Sequence, residues 1–235
     1  KDKIKKCKPS GIILELIQGN GGTHQLDFEF VKGVRKLCDI YNITMIVDEI
    51  QTGFGRCGEL FLCDLYGLIP DVIVFGKAIG NGFPLFGTIS KPRYKFEVDD
   101  HSFTFTHFPV SMAAGLAYLR QVNKKLLNSV MKKAGYIVDR LTNLRNDYFC
   151  LGEIRGMGLF LGVDIIDKSG NPDIKLAEII EKKMLKEKII IGLSKCKGFG
   201  YNIKFKPMLN ITYSQINYAL DKFEKVLTEL KCTRR

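Results

Sequence analysis

Two side chains in this sequence could do covalent chemistry together. Asp48 follows the apolar run Thr44-Met-Ile-Val47, and Lys77 follows Asp71-Val-Ile-Val-Phe75 after a single glycine. Short, continuous apolar runs of this kind read as strands of a parallel sheet covered on both faces. Such sheets gather their chemistry beyond the carboxyl ends of their strands. An acid and a lysine delivered at one sheet edge suit pyridoxal 5′-phosphate. The lysine amine forms a Schiff base with the aldehyde, and the aspartate pairs with the pyridine nitrogen and keeps it protonated, so that the ring accepts electrons from a carbanion. On spacing alone a plainer alternative stays open, in which Lys77 is a surface residue and Asp48-Glu49 a turn or helix cap.

The elements that would position these residues follow from periodicity. Residues 11–16 read as a buried strand, followed by the glycine-rich turn Gln18-Gly-Asn-Gly-Gly22. Asp27 can cap a helix over residues 28–41 with Phe30, Val31, Val34, Leu37 and Cys38 on one face. Strands follow at 44–47, 71–75 and 86–89. Strands separated by helices imply parallel pairing through right-handed crossovers. Helices are expected over 111–123 and 127–145. Residues 153–166 then read as strands around a Gly156-Met-Gly158 turn. A helix over 174–187 precedes strands near 189–191 and 201–205. The last helix starts at Thr212, where Gln215 completes a capping box, and runs to about residue 230. The expected fold class is α/β, in two parts: residues 1–125 and a smaller α/β domain with its linking helix, residues 126–235.

Composition narrows the function classes. The chain has 235 residues, 46% hydrophobic and 26% charged, which is ordinary globular usage. Its net charge of +11 is spread along the sequence, and the densest run, Lys1 to Lys8, reads as a solvated arm, so no nucleic-acid partner is expected. No apolar run approaches the roughly 20 residues of a membrane helix, and the first ten residues lack a signal peptide's apolar stretch. The seven cysteines contain no CxxC pair and the three histidines no ligand spacing, so reduced thiols and no metal are expected.

Beyond spacing, the chain resembles the class III aminotransferases, a subgroup of fold-type I pyridoxal-phosphate enzymes. The resemblance rests on Gly19-Asn-Gly-Gly22, Val47-Asp-Glu-Ile-Gln-Thr-Gly-Phe-Gly-Arg56, Pro70-Asp71, Gly76-Lys77, Gly80-Asn-Gly-Phe-Pro84, Arg155-Gly-Met-Gly-Leu159 and Pro207, in family order and with family-like spacing. It is closest in look to the branch of mitochondrial alanine–glyoxylate aminotransferase and ethanolamine-phosphate phospholyase. It implies that Lys77 is the Schiff-base lysine and proton shuttle and that Asp48 is the partner of the pyridine nitrogen. It further implies that Ile50 packs on one ring face and that Gln51 bonds near the ring hydroxyl. Thr104, in Phe103-Thr-Phe-Thr-His-Phe-Pro109, matches a threonine that contacts the phosphate of the neighbouring subunit's cofactor, which implies a homodimer. Bulky Thr106, His107 and Phe108 stand where family members carry glycines.

Two departures bear on substrate. Asn20 stands where many members have a glutamate. Lys204 stands where many have an arginine that grips the substrate carboxylate with a bidentate fork. Lysine is a point charge and does not reproduce the fork. The run Lys204-Phe-Lys206-Pro207 looks more like phospholyases acting on phosphorylated amino alcohols, although both lysines could equally be ordinary strand residues. The expected reaction is amino transfer from an amine or amino acid to a 2-oxo acid. The runner-up is phosphate elimination, and a third reading is a truncated, inactive basic binding protein. The family's sequences are longer. The segment that cradles the cofactor phosphate at a helix N-terminus precedes the part matched here, so the chain is expected to be a piece of a larger enzyme with exposed sheet edges. Cytoplasmic and mitochondrial locations both stay open.

Overall fold

In the computed structural model, which describes residues 2–97, 100, 108–194 and 201–233, the chain divides into two units. The first comprises Lys1–Leu16 with Leu26–Lys124, the second Ile17–Gln25 with Lys125–Arg235. The first unit contains helix α1 (Asp2–Cys7), strand β1 (Gly11–Leu14), helix α2 (Phe28–Tyr41), strand β2 (Thr44–Asp48), the short helix α3 (Leu62–Leu65) and strand β3 (Val72–Phe75). A single 3₁₀ turn (Lys77–Gly80), strand β4 (Gly87–Ser90) and helix α4 (Pro109–Gln121) follow.

Local sequence explains these elements. The Asp27 side chain accepts the Phe30 N–H at 2.9 Å and starts α2. Asn42, in the left-handed conformation, ends it by donating its N–H to Cys38 O. Helix α2 buries Val31 and Cys38. Phe30, expected on that face, is instead 56% exposed; it stands about 100° round the helix from Val31. Pro109 opens α4, two residues earlier than the apolar pattern suggests, because its fixed φ suits the first helical position.

The sheet order is β1-β2-β3-β4. Strands β1, β2 and β3 are parallel, with Gly11 opposite Thr44 and Ile46 opposite Val72. Strand β4 departs from the all-parallel expectation: it runs antiparallel to β3, with Phe75 opposite Gly87. The link between them is a 3₁₀ turn and a short loop, and a parallel return needs a longer crossover. The expectation that β1 is buried also fails. Among the described strands β1 pairs only with β2, so it is an edge, and Ile13 is 62% exposed. The other edge, β4, leaves Ile89 half exposed, and α4 leaves Val110, Met112, Leu116 and Leu119 open to solvent.

One buried carboxylate fixes β3 to its neighbours. Asp71, with no exposed side-chain surface, accepts the Met45 N–H of β2 at 2.9 Å and Arg35 Nη1 of α2 at 2.8 Å. Lys91 Nζ at 2.8 Å and Arg93 Nη2 at 3.2 Å approach it from beyond β4. Burial alone raises the Asp71 carboxyl. The hydrogen bonds from Lys91, Met45 and Arg35 outweigh it and hold the group well below the usual carboxylate range.

The second unit contains helix α5 (Lys124–Asp147), strands β5 (Leu151–Met157) and β6 (Phe160–Ile165), helix α6 (Ile174–Lys186), strands β7 (Gly192–Leu193) and β8 (Asn202–Phe205), and helix α7 (Tyr213–Glu229). Its sheet is antiparallel throughout, in the order β5-β6-β8-β7. The β5–β6 connection is a two-residue hairpin, Gly158-Leu159, tighter than the expected turn at 156–158. Gly156 instead lies within β5 at φ 114°, and a Cβ there would sit 2.0 Å from Phe160 O. Helix α5 buries Val130, Ala134, Ile137, Leu141 and Leu144 at helical spacing. The expected capping box is formed at the start of α7. Gln215 N–H donates to Thr212 Oγ1 at 3.2 Å, and Thr212 N–H donates to Gln215 Oε1 at 2.9 Å.

Candidate active site

In the first unit, Asp48 is the last residue of β2, and the Gly76-Lys77 step directly follows β3, the parallel neighbour of β2. The register places Asp48 opposite Val74. Pairing continues one residue further, since the Glu49 N–H donates to Val74 O at 2.8 Å. The two residues therefore emerge side by side at the carboxyl ends of adjacent parallel strands, where open α/β sheets bind ligands.

The backbone around Lys77 is unusual. Lys77 itself has φ 49° and Asn81 φ 45°, in the left-handed region. Such a conformation costs a residue with a Cβ about 1–2 kcal/mol, and strain of this kind concentrates at functional positions. The Lys77 side chain is exposed, and among the described residues no hydrogen bond or ion pair engages its ammonium.

Asp48 is half-buried. Its Oδ1 accepts the Ile50 N–H at 2.9 Å, and Oδ2 has no hydrogen-bond partner among the described residues. That bond folds the chain back so that Ile50 lies against the end of β3. A Cβ on Gly76 would sit 3.7 Å from Ile50 Cγ2, so Asp48, Ile50 and the Gly76-Lys77 step are brought together. Gln51 follows, half-buried, and begins the turn-rich stretch through Gly58.

Glu49 anchors this stretch from behind. Fully buried, it accepts the Cys63 N–H at 2.7 Å and a short hydrogen bond from the Thr52 hydroxyl. Burial pushes its carboxyl up, against those hydrogen bonds and one from the Leu62 N–H. Helix α4 contributes a second tether, Tyr118 OH to Phe54 O at 2.7 Å. The sequence signal for Glu49 was its place in the Asp-Glu-Ile-Gln-Thr run, which points to the loop without saying which acid faces inward.

In the second unit, Asn20 and Lys204 meet. Lys204, in β8 and buried, donates from Nζ to Asn20 Oδ1 at 3.3 Å. Residues 17–25, which carry Asn20, are pinned on this sheet. Gly22 O accepts Arg155 Nε at 3.2 Å, Arg155 Nη2 at 2.9 Å and Asn202 Nδ2 at 2.6 Å, and Ser194 Oγ donates to Asn20 O at 2.5 Å. Arg155 is itself buried against Asp164, with Nη1 to Oδ2 at 2.5 Å. Burial lowers its pKa, but the bonds to Asp164 and Glu153 raise it above the ordinary arginine value. Sequence reading named Arg155 only as part of a motif and did not single out Asn202 or Ser194. Thr104 lies outside the described residues. Among the described residues no cluster of His, Cys, Asp and Glu could hold a metal ion, and no helix is long and apolar enough to cross a membrane.

The chain is similar to known proteins over most of its length. The family profile described as "Aminotransferase class-III" matches residues 2–227. The acetylornithine aminotransferase of Caldanaerobacter subterraneus subsp. tengcongensis is 37% identical over 223 residues, covering 94% of this chain and 54% of that protein. Among solved structures, N-acetylornithine aminotransferase from Stenotrophomonas maltophilia superposes with a TM-score of 0.84 at 25% identity, covering 98% of this chain and 59% of the other. A phospholyase from Arthrobacter in complex with phosphoethanolamine superposes with a TM-score of 0.84 at 28% identity, covering 94% of this chain and 53% of the other. The chain thus spans about half the length of the curated relatives it matches. Its mixed α/β fold is the fold-type I arrangement of pyridoxal-phosphate-dependent aminotransferases. With a family match that runs over most of its length and the expected acid and lysine on neighbouring strand ends, the chain belongs to the class III aminotransferases.

Proposed function

We propose that the polypeptide carrying this chain is a pyridoxal 5′-phosphate-dependent transaminase that moves an amino group from an amine or amino acid to a 2-oxo acid by a ping-pong route. The observation that carries this reading is the placement of Asp48 and Lys77 at the carboxyl ends of adjacent parallel strands. When bound, the cofactor supplies an aldehyde for the amine and a protonated ring that draws electron density from the substrate carbon.

The residues present fit that group. Lys77, with an unengaged ammonium at a strained turn, is the attachment point and, once released, the base that takes the proton from the substrate carbon and returns it. Asp48 keeps Oδ1 on the Ile50 N–H and offers Oδ2 to a protonated ring nitrogen. Ile50, against the Gly76 step, would hold the ring by an apolar contact, and Gln51 would supply a polar group to it. In a homodimer, Thr104 would serve the phosphate of the neighbouring subunit's cofactor. In this reading residues 1–125 are the second half of the cofactor-binding domain, and residues 126–235 are the linking helix and small domain.

A second reading has one observation in its favour. The buried Lys204 ammonium beside Asn20 Oδ1 offers a compact point charge rather than an arginine fork, which suits a phosphate. The phosphoethanolamine-bound phospholyase among the similar structures carries the same fold. On this reading the enzyme eliminates phosphate from a phosphorylated amino alcohol.

Borohydride reduction and peptide mapping of the natural polypeptide that contains this sequence test both. A pyridoxyl group on Lys77, lost in Lys77→Ala, supports an enzyme. An unlabelled Lys77 refutes it and favours a basic binding protein, whose association with polyanions would be salt-sensitive and survive Lys77→Ala. Phosphoethanolamine then separates the two chemistries. Release of inorganic phosphate without a 2-oxo acid marks elimination, and glutamate formation that requires 2-oxoglutarate marks transamination.

A further inference from the structure

The second unit holds a pair of thiols that the proposed reaction does not use. Cys150 stands just before β5 and Cys232 three residues beyond the last residue of α7. Both are buried, at 0% and 2% exposure, and each thiol perturbs the other's titration, raising Cys150 and lowering Cys232; the Cys232 thiol also donates to Leu230 O at 3.8 Å. The backbone on both sides is paired as well. The Phe149 N–H donates to Cys232 O at 2.9 Å, and Tyr148 and Thr233 form an antiparallel bridge. Tyr148 Oη and Thr228 Oγ1, at 2.7 Å, add a side-chain tie one helical turn back. Cys150 is held from its other side by the Ile166 N–H on its carbonyl, 3.0 Å away. The six described cysteines are all unbridged.

We propose that Cys150 and Cys232 form a reversible disulfide, a thiol switch that locks the end of α7 to the entry of β5. The oxidant class is a small-molecule disulfide. Cys232 is the first nucleophile because it lies on the short segment beyond α7, whereas Cys150 is held just before β5 with its carbonyl on the Ile166 N–H. Local opening of the Tyr148–Thr233 bridge and the Phe149–Cys232 hydrogen bond, with the sheet intact, gives the incoming disulfide a route to Cys232. The Cys232 thiolate attacks one sulfur of the disulfide and releases one thiol, leaving a mixed disulfide. The Cys150 thiolate then displaces the second thiol. Two protein thiols lose two electrons and two protons, and one small disulfide becomes two thiols.

The test equilibrates the natural polypeptide at graded ratios of oxidised to reduced glutathione, quenches it with acid, alkylates it and maps it without reduction. The expected result is a peptide containing Cys150 linked to one containing Cys232, in a fraction that follows the ratio and returns to zero with dithiothreitol. In Cys150→Ser the second step is blocked, so Cys232 is recovered carrying glutathione. The oxidised wild type unfolds at a higher temperature than the reduced one, and Cys150→Ser shows no such rise. Exposed Cys7 is the internal control for oxidant delivery. The proposal is overturned if Cys7 is glutathionylated while Cys150 and Cys232 are both recovered alkylated over the whole range. It is equally overturned if wild-type Cys232 carries glutathione and no linked peptide forms.

Discussion

Replacing Asp71 by asparagine isolates the contact that holds β3, and with it the step to Lys77, in register with β2. Three cations and one backbone N–H converge on a carboxylate with no exposed surface. They do not count equally. Lys91 and Arg93 are 43% and 55% exposed, so each pair is screened and contributes roughly 0–1 kcal/mol. Arg35 is only 16% exposed, and its pair with Asp71 is the desolvated one. Removing one partner of such a pair costs about 3–5 kcal/mol, because the other charge stays buried and uncompensated. The amide introduced by Asp71→Asn would keep one oxygen for the Met45 N–H, which places that substitution near the lower end, at about 3 kcal/mol, and Asp71→Ala about 1 kcal/mol beyond it. The pH dependence has a definite sign. The folded carboxyl titrates below its unfolded value of about 3.9, so its contribution is complete above that value and is lost as pH falls towards the folded one. Urea unfolding of wild type and Asp71→Asn, with hydrogen exchange at the Met45 amide as a local probe, reads both effects. The gap should be about 3 kcal/mol near neutral pH and narrow below about pH 4. A gap under about 1 kcal/mol near neutrality, or one that does not narrow in acid, would refute the assignment of Asp71 as a charged staple.

Three further outcomes follow from the geometry. Gly156→Ala puts a Cβ 2.0 Å from the Phe160 carbonyl oxygen at φ 114°, so the β5–β6 hairpin must shift, and denaturant unfolding should show a loss of at least about 2–3 kcal/mol; a neutral substitution would mean that the hairpin is not closed as described. Thr212→Ala removes the capping box of α7 and should cost about 1 kcal/mol in the same assay, whereas a change of near zero would show the helix start to be held by packing instead. For Glu49 the sign is opposite to that for Asp71. Its folded carboxyl is raised by burial, so wild-type stability declines as pH rises from the unfolded value of about 4.3 to the folded one, and Glu49→Gln should gain on the wild type across that window; a constant difference would count against the buried assignment.

The sequence reveals those features that repeat at short range and conceals those that join distant residues. Helices α2, α5, α6 and α7 were legible because each carries an apolar stripe at helical spacing, and α2 and α7 carry a capping side chain at the expected position. Asp48 and Lys77 were legible for a similar reason: each ends an apolar run, and the run specifies a strand whose end must point to one edge. The direction of β4 was not, because a four-residue strand reads alike in either orientation and only the short link decides it. The exposure of β1 was not, because apolar content marks a residue's preference for burial, whereas edge position depends on which strands stand beside it. The supports of the site were hidden most thoroughly. Arg155 holds Gly22 across 133 positions and Asn202 holds it across 180, with no periodicity to announce either. Yet these bonds place Asn20 beside Lys204, the pair that the proposed function assigns to a substrate's anionic group. Substituting Lys204 by arginine is therefore a test of specificity rather than of fold. A forked cation restores a bidentate grip on a carboxylate and should shift preference towards amino acids, and equal use of phosphorylated and carboxylated amines by both proteins would show that position 204 does not select the substrate.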